Sequence, residues 1–211
     1  KCNLVTPILI GDVEVIATKL FSLGVEPNEF EIIDPKDSGL LNKFAEEFAT
    51  LRKNRIISVQ EAIEHVKLPL NFSAMMVRTG KADGTIGGAV ETSSKTVSAA
   101  LKIIGRAEGI NTVSSFFLIV LDKPYHQRKG PIIFSDAGLV IEPTAAQLSE
   151  ITQASVRSFE TLVSKDPKVA MLSFSTFGSA KHRRVRLVSE ATNLAKLAMP
   201  GIKIDGELQF D

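Results

Sequence analysis

Three stretches of the sequence collect residue types that bind phosphate or move protons. In the first, Gly84, Gly87 and Gly88 precede Thr92, Ser93 and Ser94. Glycines let the backbone approach a ligand closely, and hydroxyls at a helix start can hydrogen-bond phosphate oxygens. The same composition also makes ordinary turns, so this stretch alone leaves both readings open. The second is Ser173-Phe174-Ser175-Thr176-Phe177-Gly178-Ser179-Ala180-Lys181, continuing into His182, Arg183, Arg184 and Arg186. A hydroxyl-rich loop followed by positive charge can hold a nucleotide phosphate; a capped helix whose first turns face water is the alternative. Cations at a helix N-terminus oppose the macrodipole, so helix stability does not account for them. The third is Asp205-Gly206-Glu207-Leu208-Gln209-Phe210-Asp211. It reads as a loop after a strand, its carboxylates either doing metal or acid–base work or capping nearby backbone.

Other chemistries find no support in the residue pattern. His65, His126 and His182 show no zinc-like spacing, and no metal is expected. There is no G-x-S-x-G elbow and no Walker loop, and Cys2 sits at the start of the sequence, a poor place for a nucleophile. Any reaction here is therefore expected to be electrostatic and positional.

These stretches need elements to hold them, and the hydrophobic pattern supplies strands alternating with helices. Leu4–Ile10 reads as a strand, followed by a helix capped by Asp12 with Val13, Ile16, Leu20 and Leu23 inward. Phe30–Ile33 is a short strand, and Leu40, Leu41, Phe44, Phe48 and Leu51 mark a helix. Ser58-Val59-Gln60-Glu61 has the form of a capping box. Ala74–Val77 and Thr85–Ala89 are predicted as short strands, with a helix from about Thr96 to Ile104. The apolar run Val113–Leu121 reads as a central strand covered on both faces. Ile132–Phe134 and Leu139–Ile141 are predicted strands. Thr144 and Gln147 form a second capping box, Val169–Phe174 is a buried strand, a helix spans about Arg184–Met199, and Ile202–Ile204 begins a last strand. Alternation of this kind predicts an α/β fold with mainly parallel pairing. The pattern breaks near residue 108, which sets the expected domain boundary.

Bulk properties narrow the class. Apolar residues at 44% and charged residues at 23% are those of a folded globular chain. A net charge of +1 draws the chain to neither nucleic acid nor an anionic membrane. One cysteine excludes an intrachain disulfide. The apolar runs are far short of the roughly 20 residues that cross a bilayer, and the opening residues lack a leader pattern. A cytoplasmic location is expected.

Taken together and in order, the stretches resemble one family. Lys168–Lys181 is similar to its PxVAMLSFST-x-GSAK signature, and Asp205–Asp211 to its DGELQFD segment. Ala82-Asp83-Gly84, Gly88-Ala89, Thr92 and Thr96 follow ADG-xx-GA-xx-T-xxx-T. Phe134-Ser135-Asp136-Ala137-Gly138-Leu139-Val140 with Pro143-Thr144-Ala145 resembles FADxxV…PTA. The family is that of the phosphate acetyl/butyryltransferases, and the likeness, from about Pro7 to Asp211, is greater to the acetyl enzymes.

The resemblance implies two α/β domains with mainly parallel sheets, an isocitrate-dehydrogenase-like architecture and an active site in the cleft between them. Residues 1–108 would be part of the first domain and 109–211 the second. It implies reversible acetyl transfer between acetyl phosphate and coenzyme A, with coenzyme A as substrate, no permanently bound cofactor, and a homodimer. Arg52, Thr92, Ser93, Ser94, Ser175, Thr176 and Ser179 match family positions associated with substrate binding. Family proteins extend beyond both ends of these residues and carry a Ser-Arg and an aspartate of the reacting centre beyond Asp211. The chain is thus expected to be a shortened piece with little turnover by itself. One position departs from the pattern: where the family has T-V-R-P-A-L, this sequence has Thr96-Val97-Ser98-Ala99-Ala100-Leu101. A hydroxyl replaces a guanidinium and its bidentate geometry. Arg78 and Arg106 are the neighbouring arginines that could cover for it. Two alternatives stay open: a catalytically impaired acyl-CoA-binding regulatory domain, and a phosphate butyryltransferase.

Overall fold

Asp12 caps the first helix as its position predicts, its carboxylate accepting from the Val15 amide at 3.0 Å. The computed structural model describes residues 4–51, 57–127, 129–163 and 166–210. It divides into two compact units, Lys1–Gly105 and Arg106–Asp211.

In the first unit β1 (Ile8–Ile10) lies parallel to β2 (Glu31–Ile33), with α1 (Val13–Ser22) and a short 3-10 turn, Pro27–Glu29, between them. Helices α2 (Leu41–Leu51), α3 (Val59–Val66), α4 (Pro69–Arg78) and α5 (Ser93–Ala99) follow, and α5 runs into a π-helical turn, Ala100–Ile104. The core is mostly helical. Phe44, Phe48, Ala62, Val66, Phe72, Met75 and Ile103 are buried together, with Phe44 and Phe72 rings 5.1 Å apart. Ser58 and Glu61 make the predicted capping box at the start of α3.

Two expected strands are absent here. Ala74–Val77 lies inside α4, which Pro69 opens at its first turn. A four-residue apolar run cannot tell strand from buried helix, and Phe72, Met75 and Met76 recur at helical spacing on the buried side. Thr85–Ala89 forms no strand either; it belongs to an exposed loop whose Ile86 side chain meets water.

In the second unit β3 (Phe116–Leu121) pairs antiparallel with β4 (Gly130–Ser135), while β5 (Lys168–Leu172) pairs parallel with β6 (Lys203–Leu208). Helices α6 (Ala145–Leu162) and α7 (Arg183–Ala198) complete it. Thr144 and Gln147 cap α6 reciprocally, as expected. Met171, Ala191, Ala195 and Ile204 bury the contact of α7 with the β5–β6 pair. The fold is α/β with two parallel sheets and one antiparallel sheet, each two-stranded among the described residues.

Three corrections belong to this unit. The Val113–Leu121 run starts its strand later, at Phe116, and is not covered on both faces: Phe117 and Val120 are 63% and 61% exposed. An apolar run records what surroundings a strand tolerates, and among the described residues β3 has only β4 beside it in its sheet. Leu139–Ile141 is a bend after Gly138 rather than a strand. Finally, Asp205–Leu208 lies within β6, not in a loop after it.

Candidate functional site

The hydroxyl stretch of the first unit sits where α5 begins. Thr92 is the cap, its hydroxyl accepting from the Lys95 amide at 3.3 Å, and its carbonyl receives the Thr96 hydroxyl at 3.1 Å. Ser93 and Ser94 occupy the first turn and are exposed. Gly87 and Gly88 are packed close to Thr96; a Cβ on Gly87 would meet Leu70 at 3.2 Å, and Gly88 has φ +101°. Glycine is therefore required by this turn whether or not a ligand approaches it. Arg52 lies outside the described residues.

Ser98 is half-buried in α5. Arg78 spends its guanidinium on Glu47 Oε1 at 3.2 Å and on the carbonyl of Ile103 in the π-helical turn at 2.9 Å. Arg106 donates to the Asn111 carbonyl at 2.8 Å. Both arginines that could cover for Ser98 already have structural partners.

In the second unit the 173–181 loop leaves the carboxyl end of β5, the end where open α/β sheets bind ligands. It is tied to β6 at each step. The Ser173 amide donates to the Leu208 carbonyl at 2.7 Å and the Phe177 amide to the Glu207 carbonyl at 3.2 Å. Thr176 Oγ1 accepts from the Gln209 amide at 3.0 Å. Beyond β6, Phe210 meets Phe134 of β4 edge-on at 5.4 Å. Ser175 is fully buried, its hydroxyl in contact with Ser179 Oγ, Glu207 Oε1 and the Ala180 amide, each at 3.0 Å. Ser179 is exposed and Thr176 half-buried. Of the three residues matched to the family, Ser175 thus points inward and Ser179 is the most exposed, its hydroxyl held between Ser175 Oγ and the Thr176 amide at 3.0 and 3.1 Å.

The basic run follows directly. His182 caps α7, Nδ1 accepting from the Arg184 amide at 3.2 Å, and its ring lies edge-on to Phe174. Arg184 pairs with Glu142. Lys181, Arg183 and Arg186 are exposed and make no ion pair among the described residues. The loop end of this unit therefore carries uncommitted positive charge beside hydroxyls and exposed aromatic rings. Asp136, at the end of β4, has φ +62° and a buried Oδ1 without a hydrogen-bond partner among the described residues; burial raises its pKa.

A depression of about 590 Å³ in the first unit is lined by Asp12, Glu14, Asp34 and Asp37. Four carboxylates repel phosphate, so the charge of the 181–186 run identifies the better anion site. No group of three or more metal-ligating side chains converges among the described residues. No described helix is long and apolar enough to cross a membrane.

The family model for Phosphate acetyl/butaryl transferase matches residues 1–211. The chain belongs to that family. Among curated family members, a phosphate acetyltransferase of Paracoccus denitrificans is 43% identical over 85% of this chain and 56% of its own length. A phosphate acetyltransferase of Acetivibrio thermocellus is 39% identical over 100% of this chain and 63% of its own length. Among solved structures, the EutD phosphotransacetylase of Staphylococcus aureus superposes with a TM-score of 0.82 at 36% identity, covering 98% of this chain and 62% of that one. A phosphotransacetylase of Streptococcus pyogenes gives 0.83 at 34% identity, covering 99% and 61%. The chain spans about three fifths of the length of these family members.

Sequence reasoning missed one residue of this candidate site. Glu207 was legible only as one of several carboxylates in the DGELQFD segment, while the structure turns it inward beneath the 173–181 loop. The available signal was its neighbour Gly206, where a Cβ would come within 2.5 Å of Met171 Cβ. A glycine inside a strand marks a bulge or a close approach.

Proposed function

We propose that this protein is a phosphate acetyltransferase that moves an acetyl group reversibly between acetyl phosphate and coenzyme A. The observation that carries the reading is the match of the family across all 211 residues, with named phosphate acetyltransferases as relatives. Coenzyme A is a substrate here rather than a resident cofactor. The protein acts in the cytoplasm as a homodimer, its two units corresponding to parts of the two family domains.

A free thiol has a pKa of about 8.5, so the thiol of coenzyme A must lose its proton to become a competent nucleophile, and in the balanced reaction that proton ends on the departing phosphate. The sulfur then attacks the acetyl carbonyl, a tetrahedral oxyanion forms, and it collapses with cleavage of the carbon–oxygen bond to phosphate. Donors aimed at that oxyanion and cations on the phosphoryl oxygens lower the barrier. In this reading Thr92, Ser93 and Ser94 hold phosphoryl oxygens together with Arg52. Thr176 and Ser179 bind substrate as well, with Ser175 shaping their loop from beneath. Lys181, Arg183 and Arg186 supply charge for the phosphates of coenzyme A. The full-length protein carries the turnover, and the 211 residues alone show little.

Ser98 favours a second reading, an acyl-CoA-binding regulatory domain that has lost catalysis, because Arg78 and Arg106 have structural partners already. Acetyl-phosphate-dependent loss of the coenzyme A thiol, measured on the full-length gene product and on Ser98→Arg, separates the two. Turnover by the unmodified protein is expected, with acetyl phosphate preferred to butyryl phosphate. Silence that Ser98→Arg reverses overturns the enzyme reading in favour of the regulatory domain.

A further inference from the structure

In the β5–β6 ladder Met171 pairs with Gly206 and Leu172 with Leu208, so Glu207 is the extra residue of a bulge. A bulge redirects one side chain out of the pleat, and bulges gather beside active sites. Here the redirected side chain is a carboxylate only 2% exposed. Its Oε1 accepts from the Gly178 amide and from the fully buried Ser175 hydroxyl. That hydroxyl in turn receives the Ala180 amide. Oε2 is buried without a hydrogen-bond partner among the described residues.

Burying a carboxylate this incompletely satisfied is costly, and an apolar side chain of similar size would serve packing better. What Glu207 holds is itself strained. Phe177 has φ of +47°, and a bulky residue in the left-handed region is an outlier that its surroundings must impose; Gly178, at +78°, takes the same region without a Cβ to clash. The imposed turn leaves Phe177 66% exposed, near exposed Ser179 and the cations from Lys181 onward. An arrangement that costs stability twice, and displays an aromatic ring beside free positive charge, fits a surface preset for a ligand with an apolar and an anionic part.

We infer that Glu207 is a positioning residue: its carboxylate, occupying the loop's inward amide and hydroxyl donors, sets residues 175–180 in the conformation that binds substrate. The inference rests on the acetyltransferase reading for the identity of the substrate, acyl-coenzyme A or its phosphate partner. Glu207 touches neither the substrate nor the reacting atoms and acts through Ser175, Phe177 and Gly178.

The test uses the full-length gene product and its Glu207→Ala, Glu207→Gln and Ser175→Ala variants, with two readouts. One is KM and kcat for coenzyme A and acetyl phosphate; the other is amide exchange at Phe177, Gly178 and Ala180. Glu207→Ala and Ser175→Ala are expected to raise a substrate KM by about 10- to 100-fold with much less effect on kcat, as loss of positioned binding does. Loop amides should exchange about tenfold faster or more, with α7 amides unchanged. Glu207→Gln keeps one carbonyl acceptor and should lie nearer the wild type than Glu207→Ala in both readouts. Unchanged KM values in a folded Glu207→Ala protein overturn the inference, even if loop exchange rises. Should Glu207→Ala fail to fold, Ser175→Ala decides, because it cuts the same link and leaves the carboxylate in place. A wild type without turnover overturns the acetyltransferase reading instead; coenzyme A binding by the wild type and Ser175→Ala then decides the positioning role, with equal affinities counting against it.

Discussion

Thr112 is a buried hydroxyl near the start of the second unit, and it donates to Glu150 Oε2 on α6. Asn111 Nδ2 reaches the other oxygen of the same carboxylate at 3.4 Å. The Thr112 bond, and then that of Asn111, holds the Glu150 pKa below its ordinary value. A carboxylate depressed in the folded state adds stability above its unfolded pKa and loses it as pH falls through the folded value. Thr112→Val should therefore melt at a lower temperature than the wild type near pH 7. The gap should narrow as pH falls through the carboxylate range, and thermal melts at several pH values check it. Neither residue stood out by spacing, since 38 positions separate them and only the folded unit brings them together.

At the scale of elements the β5–β6 pair is the most demanding local structure. Gly206 faces Met171 so closely that an added Cβ would sit 2.5 Å from Met171 Cβ, 2.8 Å from its carbonyl and 3.0 Å from Thr192 Oγ1. One of those neighbours is backbone, so the strands themselves must move. Gly206→Ala is expected to lose about 1–3 kcal/mol, as overpacking in a tight interior does. Chemical denaturation measures that loss, and exchange should quicken in β6 and in the 173–181 loop while β3 and β4 stay unaffected. The capping boxes of α3 and α6 were legible because their logic is four residues long. The bulge was not, because it depends on which residue of a partner strand lies opposite.

At the scale of the whole molecule, the described residues form two cores of different character. That of the first unit is large, helical and aromatic, centred on Phe44 and Phe72; that around Met171, Ala191, Ala195 and Ile204 is small. Phe44→Ala should cost the first unit about 3–5 kcal/mol, the usual range for removing a buried ring. Hydrogen exchange resolved by residue should show that loss across α2, α3 and α4, with α7 and β5 keeping their protection. Equal loss in both units would mean that they unfold as one cooperative body.

What the sequence determined by itself was local or cumulative. Helix caps at Asp12, Ser58 and Thr144 follow from side chains reaching amides three residues on, and the α/β alternation follows from summed hydrophobic periodicity. The order of five motif stretches pointed to the family, which matches over all 211 residues. Tertiary structure decided the rest. It made Ala74–Val77 helix, because a short apolar run suits either state and packing against Phe44 chose one. It left Phe117 and Val120 exposed, since hydrophobicity says what a face prefers and not what lies against it. It turned Ser175 inward and placed Glu207 beneath the loop, because a contact across 32 residues is set by strand register. Register is a property of the assembled sheet, and no window of sequence contains it.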